Sequence, residues 1–439
     1  MSDVIPQAMR AEFMDWIVYL MIESDMMRAQ LGAVVRIDGR IDAARLARAV
    51  RLLMDAEPVL GCRFVAEGQP PHWQRQGNLD DLVTVRVRET ADAEAAATAY
   101  VAAGMDRRAA PQVRVEVFRA PDGDTLALKV NHTAVDGGGT KQVLYLMGSI
   151  YRALAADPAF VPAPDSDSPR DLGALAKRAT LLERLRAVRV RNHFPPTDWS
   201  VPGSGGEGEP VYIAATIESD EFEPIVLFGK RHDATVHDLL LTAYYRALFA
   251  ELGPRPGART PVNMSADLRA WLPPDTRIAL ANLPATWAIT VSPKEGEDFE
   301  GTLARVVERT REWKDADVGR IRAVEGVVAD RLVRWIGMDT LRRHWAQITR
   351  RFEGTGYPSL TNLGVIDDRS LDFGADCPVA DAFLLGPIGH PGGFILTVST
   401  FRRRFRLSAG IDALATDAGL ARRVVERTAA ELRSTEAVS

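Results

Sequence analysis

The chain has 439 residues, 46% of them hydrophobic and 26% charged, with 54 basic against 59 acidic residues and a formal net charge of −5. Such values exclude a globally disordered chain and disfavour a nucleic-acid binder, local basic patches aside. Two cysteines, Cys62 and Cys377, are too few for a disulfide scaffold or a thiolate metal cage. They fit a reducing compartment, where a free cysteine is a small buried apolar residue.

The length predicts roughly two to three domains. From Phe13 to Met27 the chain is rich in Met and aromatics, but Asp15, Glu23 and Asp25 interrupt it and no basic leader precedes it. We read it as a core or domain-edge helix, with a membrane or partner surface as the alternative. No apolar run reaches the ~18 to 20 residues of a membrane span, so the expected address is cytoplasmic, without integral membrane association.

Gly32 to Asp38 reads as a short strand, and Asp42 sits where a helix N-cap belongs, before Leu46, Val50, Leu52 and Leu53 on one helical face. Cys62 to Val65 is a second short apolar run. Residues 91–103 are nearly all alanine, a helix by propensity. Val113, Val115 and Val117 alternate with polar residues. Pro121-Asp122-Gly123 makes a turn, and Thr125 to Val130 returns as the second arm of a hairpin. A loop at 131–139 leads into a helix from about Thr140 to Ala155. A basic helix is expected over roughly 172–191.

The stretch from Pro195 to Pro210 holds Ser-Gly-Gly-Glu-Gly and resists regular structure. It divides the chain into residues 1–195, a linker at 196–210, and residues 211–439. The second part reads as a strand at 211–217, helices at 219–231 and 235–252, and strands at 260–264 and 285–291. Helical segments follow over about 298–352, then strands near 357–363, 382–387, 393–401 and 404–410, and a helix at 416–434. Mixed element order with hairpins predicts an α/β (α+β) architecture with mixed sheets, in two domains. Dinucleotide and P-loop glycine motifs are lacking, as is a Gly-x-Ser-x-Gly nucleophile elbow.

The segment Asn131-His132-Thr133-Ala134-Val135-Asp136-Gly137-Gly138-Gly139 lies between an alternating strand and a helix. An imidazole at a strand end is placed to act as a general base toward an alcohol or amine. Glycines there allow close approach and leave helix N-terminal amides open to an anion.

His132-Thr133-Ala134-Val135-Asp136-Gly137 resembles the His-x-x-x-Asp-Gly signature of the chloramphenicol acetyltransferase-like acyltransferases. That superfamily includes nonribosomal peptide condensation domains, alcohol and polyketide-associated acyltransferases, and the plant BAHD enzymes. Further pieces occur in the same order. Arg36 to Asp42 with Glu57 to Phe64 is similar to the opening strand, helix and His-Pro-x-Leu-Arg pattern. Asp233 to Leu241 is similar to Gly-Ala-Thr-Val-Asn-Asp-Val-Leu. Pro261 to Arg269 ends in Asp-Leu-Arg, and Ser359 to Gly364 resembles Ser-Asn-x-Gly. Asp372-Phe373-Gly374 with Pro378 resembles a BAHD segment, although Ala375 and Asp376 stand for its Trp and Gly.

The resemblance implies two α/β sandwich domains with an interdomain channel. It implies acyl transfer from a thioester, acyl-CoA or acyl carrier protein, to a small-molecule alcohol or amine. His132 would be the base, and the Gly137 amide an oxyanion donor. Asp136 would be structural, paired with Arg269 or otherwise Arg63. Asn131, Gly138, Thr361 and Asn362 would face the channel. No metal and no resident cofactor is implied, since CoA or phosphopantetheine arrives as the substrate thioester. Asn131 replaces the first His of many condensation domains. That motivates an alternative, a silent member that binds a carrier protein or hydrophobic ligand.

Other features have plainer readings. Lys177, Arg178, Arg184, Arg186, Arg189 and Arg191 would meet CoA phosphates or an acidic carrier protein, or simply form a solvated face. Arg402-Arg403-Arg404-Phe405-Arg406 offers the same anion surface, or charge protecting a sheet edge. His237 and Asp238 cap or pack a helix start, and the Asp372 turn is structural.

Overall fold

A computed structural model describes residues 4–67, 70–82, 85–108, 110–188, 195–199, 201–202, 209–274, 276–315, 318–349, 358–389, 394–412 and 416–435. The chain opens with β1 (Ala8–Arg10) and α1 (Phe13–Glu23). Trp16, Val18, Tyr19, Leu20 and Ile22 of α1 are buried, so the Met- and aromatic-rich stretch is a core helix. Next come β2 (Gln30–Ile37) and α2 (Ala43–Ala56). Asp42 caps α2, accepting from the amides of Ala44 and Arg45 at 3.0 Å each.

β3 (Cys62–Val65), β4 (His72–Arg75), α3 (Leu79–Leu82), β5 (Arg86–Glu89) and α4 (Ala93–Ala102) follow. β6 (Val113–Ala120) and β7 (Gly123–Asn131) form the expected hairpin, with Ala120 opposite Gly123. The long helix α5 (Gly137–Ala156) starts three residues earlier than its sequence pattern suggests, because Asp136 caps it.

The basic helix expected over 172–191 is instead two, α6 (Gly173–Lys177) and α7 (Leu181–Val188). Thr180 and Glu183 cause the restart. The Thr180 amide donates to Glu183 Oε2 at 2.6 Å, and the Glu183 amide donates to Thr180 Oγ1 at 3.3 Å. This reciprocal capping begins a new helix. Arg189 and Arg191 lie outside the described residues, as do 200 and 203–208 of the linker. Trp199 is buried in the second core and donates to the Pro261 carbonyl at 3.2 Å, so this part of the linker is anchored.

The rest comprises β8 (Pro210–Ile217), α8 (Ser219–Arg231), α9 (Val236–Leu252), β9 (Pro261–Asp267), β10 (Pro284–Thr290), α10 (Phe299–Asp315), α11 (Val318–Ile336), α12 (Met338–Thr349), β11 (Pro358–Val365), β12 (Val379–Leu385), β13 (Phe394–Phe401), β14 (Arg404–Asp412) and α13 (Ala418–Arg433). Among the described residues the strands form sheets of order β12-β2-β7-β6-β5, β10-β9-β11-β13-β14-β8 and β1-β4-β3. The two large sheets are mixed. β5 pairs parallel with β6, and β11 pairs parallel with both β9 and β13.

β12 comes from the second half of the chain but completes the first half's sheet, antiparallel to β2, with Phe383 opposite Val34. Phe383 and Leu385 join Val34 and Ala127 in one core cluster. The first core also takes Leu280, Val333, Met338, Leu341 and Phe373 from the second half. Apolar burial therefore ties the halves together at two places. The division expected at 196–210 does not anticipate this exchange.

Candidate active site at the seam of the two halves

β7 is buried along its whole length, and His132 is the first residue beyond it. The His132 amide donates to the Ala29 carbonyl at 2.7 Å. The Asn131 side chain turns inward and accepts from the Thr133 amide at 2.9 Å. The Ala134 amide closes on the Asn131 carbonyl at 2.9 Å. This tight turn brings the half-buried imidazole back over its own loop, with Nδ1 3.0 Å from the Val135 carbonyl. A carbonyl can only accept, so Nδ1 carries the hydrogen and the lone pair of the neutral ring sits on Nε2. Burial pushes the His132 pKa below the ordinary histidine value, against the favourable pull of the Val135 carbonyl and Asp136.

Asp136 turns away from the imidazole. Its Oδ1 accepts from the Gly139 amide at 2.8 Å and its Oδ2 from the Leu283 amide at 2.7 Å. Arg269 Nη1 lies 2.9 Å from both carboxylate oxygens. The guanidinium also donates to the Ala281 carbonyl at 2.8 Å through Nη2 and to Asp267 at 3.0 Å. The Asp136 and Arg269 side chains are only 8% and 14% exposed. Each carboxylate oxygen thus has donors, the condition under which a buried pair can hold without leaving an uncompensated charge. Arg63, the other partner considered, is exposed on β3 and has no ion pair among the described residues.

Side chains of the second half pack closely on glycines 137 and 138. A Cβ on Gly137 would lie 2.2 Å from Leu363 Cδ2, and one on Gly138 would lie 2.4 Å from Asp267 Oδ2. Leu363 follows Thr361 and Asn362 at the end of β11, where the pairing with β13 shifts register. Thr361 Oγ1 accepts from Ser265 Oγ at 3.2 Å. Asn362 Oδ1 accepts from the Gly364 amide at 2.9 Å, across a turn that holds Gly364 at φ 73°. Lys141 of α5 donates to the Leu363 carbonyl at 2.8 Å and pins this strand end to the helix start.

The structure therefore brings His132, Asp136, Gly137, Gly138 and Arg269 together and lays the Thr361–Asn362 strand end beside them. Asn131 is corrected. It is fully buried, and its side chain builds the loop instead of facing a channel.

Several residues here carry no signal in the sequence. Asn282 Nδ2 donates to the carbonyls of His132 and Thr133, each at 2.8 Å. Arg170 donates to the Ala134 carbonyl at 3.1 Å, to the Leu280 carbonyl at 2.8 Å and to both Asp15 oxygens at 2.8 and 3.3 Å. Trp73 Nε1 donates to the same Asp15 carboxylate at 2.8 Å. These contacts span separations of 36 to 155 positions, which no spacing rule detects. Glu57 also belongs to this frame. It accepts from the Leu280 amide at 3.2 Å, and burial pushes its pKa up to about 7.

Other candidates prove structural. Arg402 pairs with Asp368 at 3.4 Å, Arg404 with Glu218 at 2.7 Å and Asp381 at 2.9 Å, while Arg403 and Arg406 pair with Glu223 and Glu94. Nor is β14 a sheet edge, since β8 covers its far side. The edge-protection reading is thus replaced by internal neutralisation. His237 Nε2 sits 3.2 Å from the Met264 sulfur, and Asp238 completes a capping box with Thr235 at the start of α9. Both cysteines are buried, and burial pushes the Cys62 thiol up to about 12, far from a reactive thiolate. Phe373 packs edge-on to Tyr151 at 5.7 Å while Asp372 pairs with Arg152.

No protein-family model matches the chain. The uncharacterized proteins Rv2305 and MT2362 of Mycobacterium tuberculosis are each 30% identical over 219 residues, 47% of this chain and 49% of the relative. The match thus spans about half the length of these curated relatives. Solved structures align over nearly the full length. The first condensation domain of the CDA synthetase superposes with a TM-score of 0.69 at 17% identity, covering 99% of this chain and 97% of that one. Polyketide synthase associated protein 5 from Mycobacterium tuberculosis gives 0.67 at 15% identity, covering 97% of each chain. The TRI3 trichothecene 15-O-acetyltransferase from Fusarium sporotrichioides gives 0.72 at 12% identity, covering 98% of this chain and 95% of that one. The chain thus shares the fold of these condensation-domain and acetyltransferase structures.

Proposed function

We propose that the protein is an acyltransferase, moving an acyl group from a thioester to a hydroxyl or amine. The observation that carries this reading is the imidazole held with Nδ1–H on the Val135 carbonyl, leaving Nε2 as the basic nitrogen. The lowered pKa keeps the ring neutral near pH 7. In the proposed step, Nε2 takes the acceptor's proton while its oxygen or nitrogen bonds to the thioester carbon. The carbonyl π electrons move to oxygen, and the Gly137 amide at the start of α5 would stabilise that oxyanion. Collapse expels the thiolate, which recovers the proton from the imidazolium. Asp136 and Arg269 act through the loop that they hold, and are positioning residues. The donor would be acyl-CoA or an acyl carrier protein. The internally paired Arg402–Arg406 segment is a poor candidate for binding its phosphates.

The test is release of free thiol from a panel of acyl-CoAs and acylated carrier proteins, each with alcohol and amine acceptors. His132→Ala is expected to lower turnover by about 10²- to 10⁴-fold, the usual share of general-base catalysis. Unchanged thiol release at saturating acceptor would refute the reading. Leu363 pressed onto Gly137 favours a second reading, a binding-only member in which that contact fills the space an acyl carbonyl would need. Any His132-dependent turnover rules it out.

A further inference from the structure

Helix α7 packs on α11 with its apolar side turned outward. At about 100° per residue, Glu183 and Ala187, both buried, share one side of α7. Leu181, Leu182 and Leu185 lie on the opposite side and are 74%, 57% and 55% exposed. Arg184 and Arg186, both exposed, fall on the two flanks of that leucine ridge. A globular helix normally does the reverse and buries its leucines. On α11, Val328, Leu332 and Trp335 form an exposed stripe at four- and three-residue spacing, with Trp335 85% exposed.

The charge pattern adds to this. Arginines elsewhere commonly end on carboxylates, as in the segment 402–406. Among the described residues, Lys177, Arg178, Arg184 and Arg186 have no carboxylate partner. Arg184 donates only to main-chain carbonyls, of Ala179 at 3.1 Å and Lys177 at 3.4 Å. The one acid within α7, Glu183, faces inward and is held by Thr180 and Arg320. A chain of net charge −5 thus concentrates unneutralised cations around an apolar ridge.

We propose that α7 is a peripheral docking surface for an anionic lipid bilayer. The leucines would enter the boundary between headgroups and acyl chains, and the flanking arginines would meet lipid phosphates. A second copy fits worse, because a symmetric contact would set these cations against themselves. The proposal does not depend on the reaction assigned to His132.

The test is cosedimentation of the full chain with phosphatidylcholine vesicles, with and without phosphatidylglycerol. The wild type is expected to bind the anionic vesicles only, and less at high salt. Arg184→Gln with Arg186→Gln should weaken binding about 25-fold, from roughly fivefold per basic residue. Leu181→Ser, Leu182→Ser and Leu185→Ser together should weaken it more than about tenfold. All of these side chains are exposed, so unchanged thermal melting is the expected folding control. Three results would overturn the proposal: no binding of wild type to anionic vesicles, binding indifferent to both sets of substitutions, or binding to soluble polyglutamate but not to vesicles. A dimer in sedimentation velocity that the leucine substitutions dissolve, with no vesicle binding, would assign the ridge to a second copy instead.

Discussion

Arg269→Ala tests whether the His132 loop is held from the other half of the molecule. The substitution removes the Nη1 contacts at 2.9 Å to both Asp136 oxygens and the Nη2 bond at 2.8 Å to the Ala281 carbonyl. It leaves a carboxylate that is 8% exposed with only two amide donors, those of Gly139 and Leu283. Breaking one side of a buried, hydrogen-bonded pair costs about 3–5 kcal/mol, and that is the loss expected in urea unfolding at neutral pH. Removing both charges together, as Asp136→Asn with Arg269→Leu, leaves no unpaired ion. It should recover about 2–3 kcal/mol of the loss, within the usual coupling of contacting residues. Activity follows a different course. The double variant regains stability, but its loop lacks the cross-half anchor, so turnover stays low. If Arg269→Ala costs less than about 1 kcal/mol, or if the two substitutions simply add, then the pair is not what holds the loop.

Gly137→Ala places a methyl group 2.2 Å from Leu363 Cδ2. It should cost about 1–3 kcal/mol by overpacking, and Leu363→Ala should relieve most of that in the same melting assay. The pH dependence of stability should carry a signature of Glu57, whose pKa burial raises from 4.5 to about 7. Its stabilising contribution is full below pH 4.5 and is lost as pH rises through about 7, by about 2–3 kcal/mol. Glu57→Gln should therefore flatten the melting temperature across that window, and an unchanged profile would count against a buried carboxyl there. The His132 pKa lies below the ordinary histidine value. The acid limb of kcat/KM should accordingly fall below that value too, and Asn282→Ala should move it.

Much of this was legible from local pattern. Asp42 and the capping box of Thr235 with Asp238 mark helix starts because a short polar side chain satisfies amides that the helix itself leaves open. The hairpin of β6 and β7 was legible from alternation and a turn. The break at Thr180 was also written locally, as Thr180-Leu181-Leu182-Glu183. The run of basic residues, continuous to a reading for charge, hid it. Neither the anion-surface nor the edge reading of Arg402–Arg406 anticipates that β14 is an interior strand, because a strand's own residues do not say which neighbour covers it. Asn131 was misplaced because its side chain serves a turn closed by Thr133, not an open space.

By itself the sequence determined most of the longer elements, the His132 loop and the family resemblance, since these depend on propensity, periodicity and short motifs within reach of one another. The tertiary structure decided which halves share a sheet, through β12 against β2. It also decided what holds the imidazole: Arg269 on Asp136, Asn282 on the loop carbonyls, and Arg170 bridging Asp15 to Ala134. Those bonds join residues far apart in the chain. They form only after apolar burial has met the entropy of closing such long loops, and nothing near either partner in sequence records them.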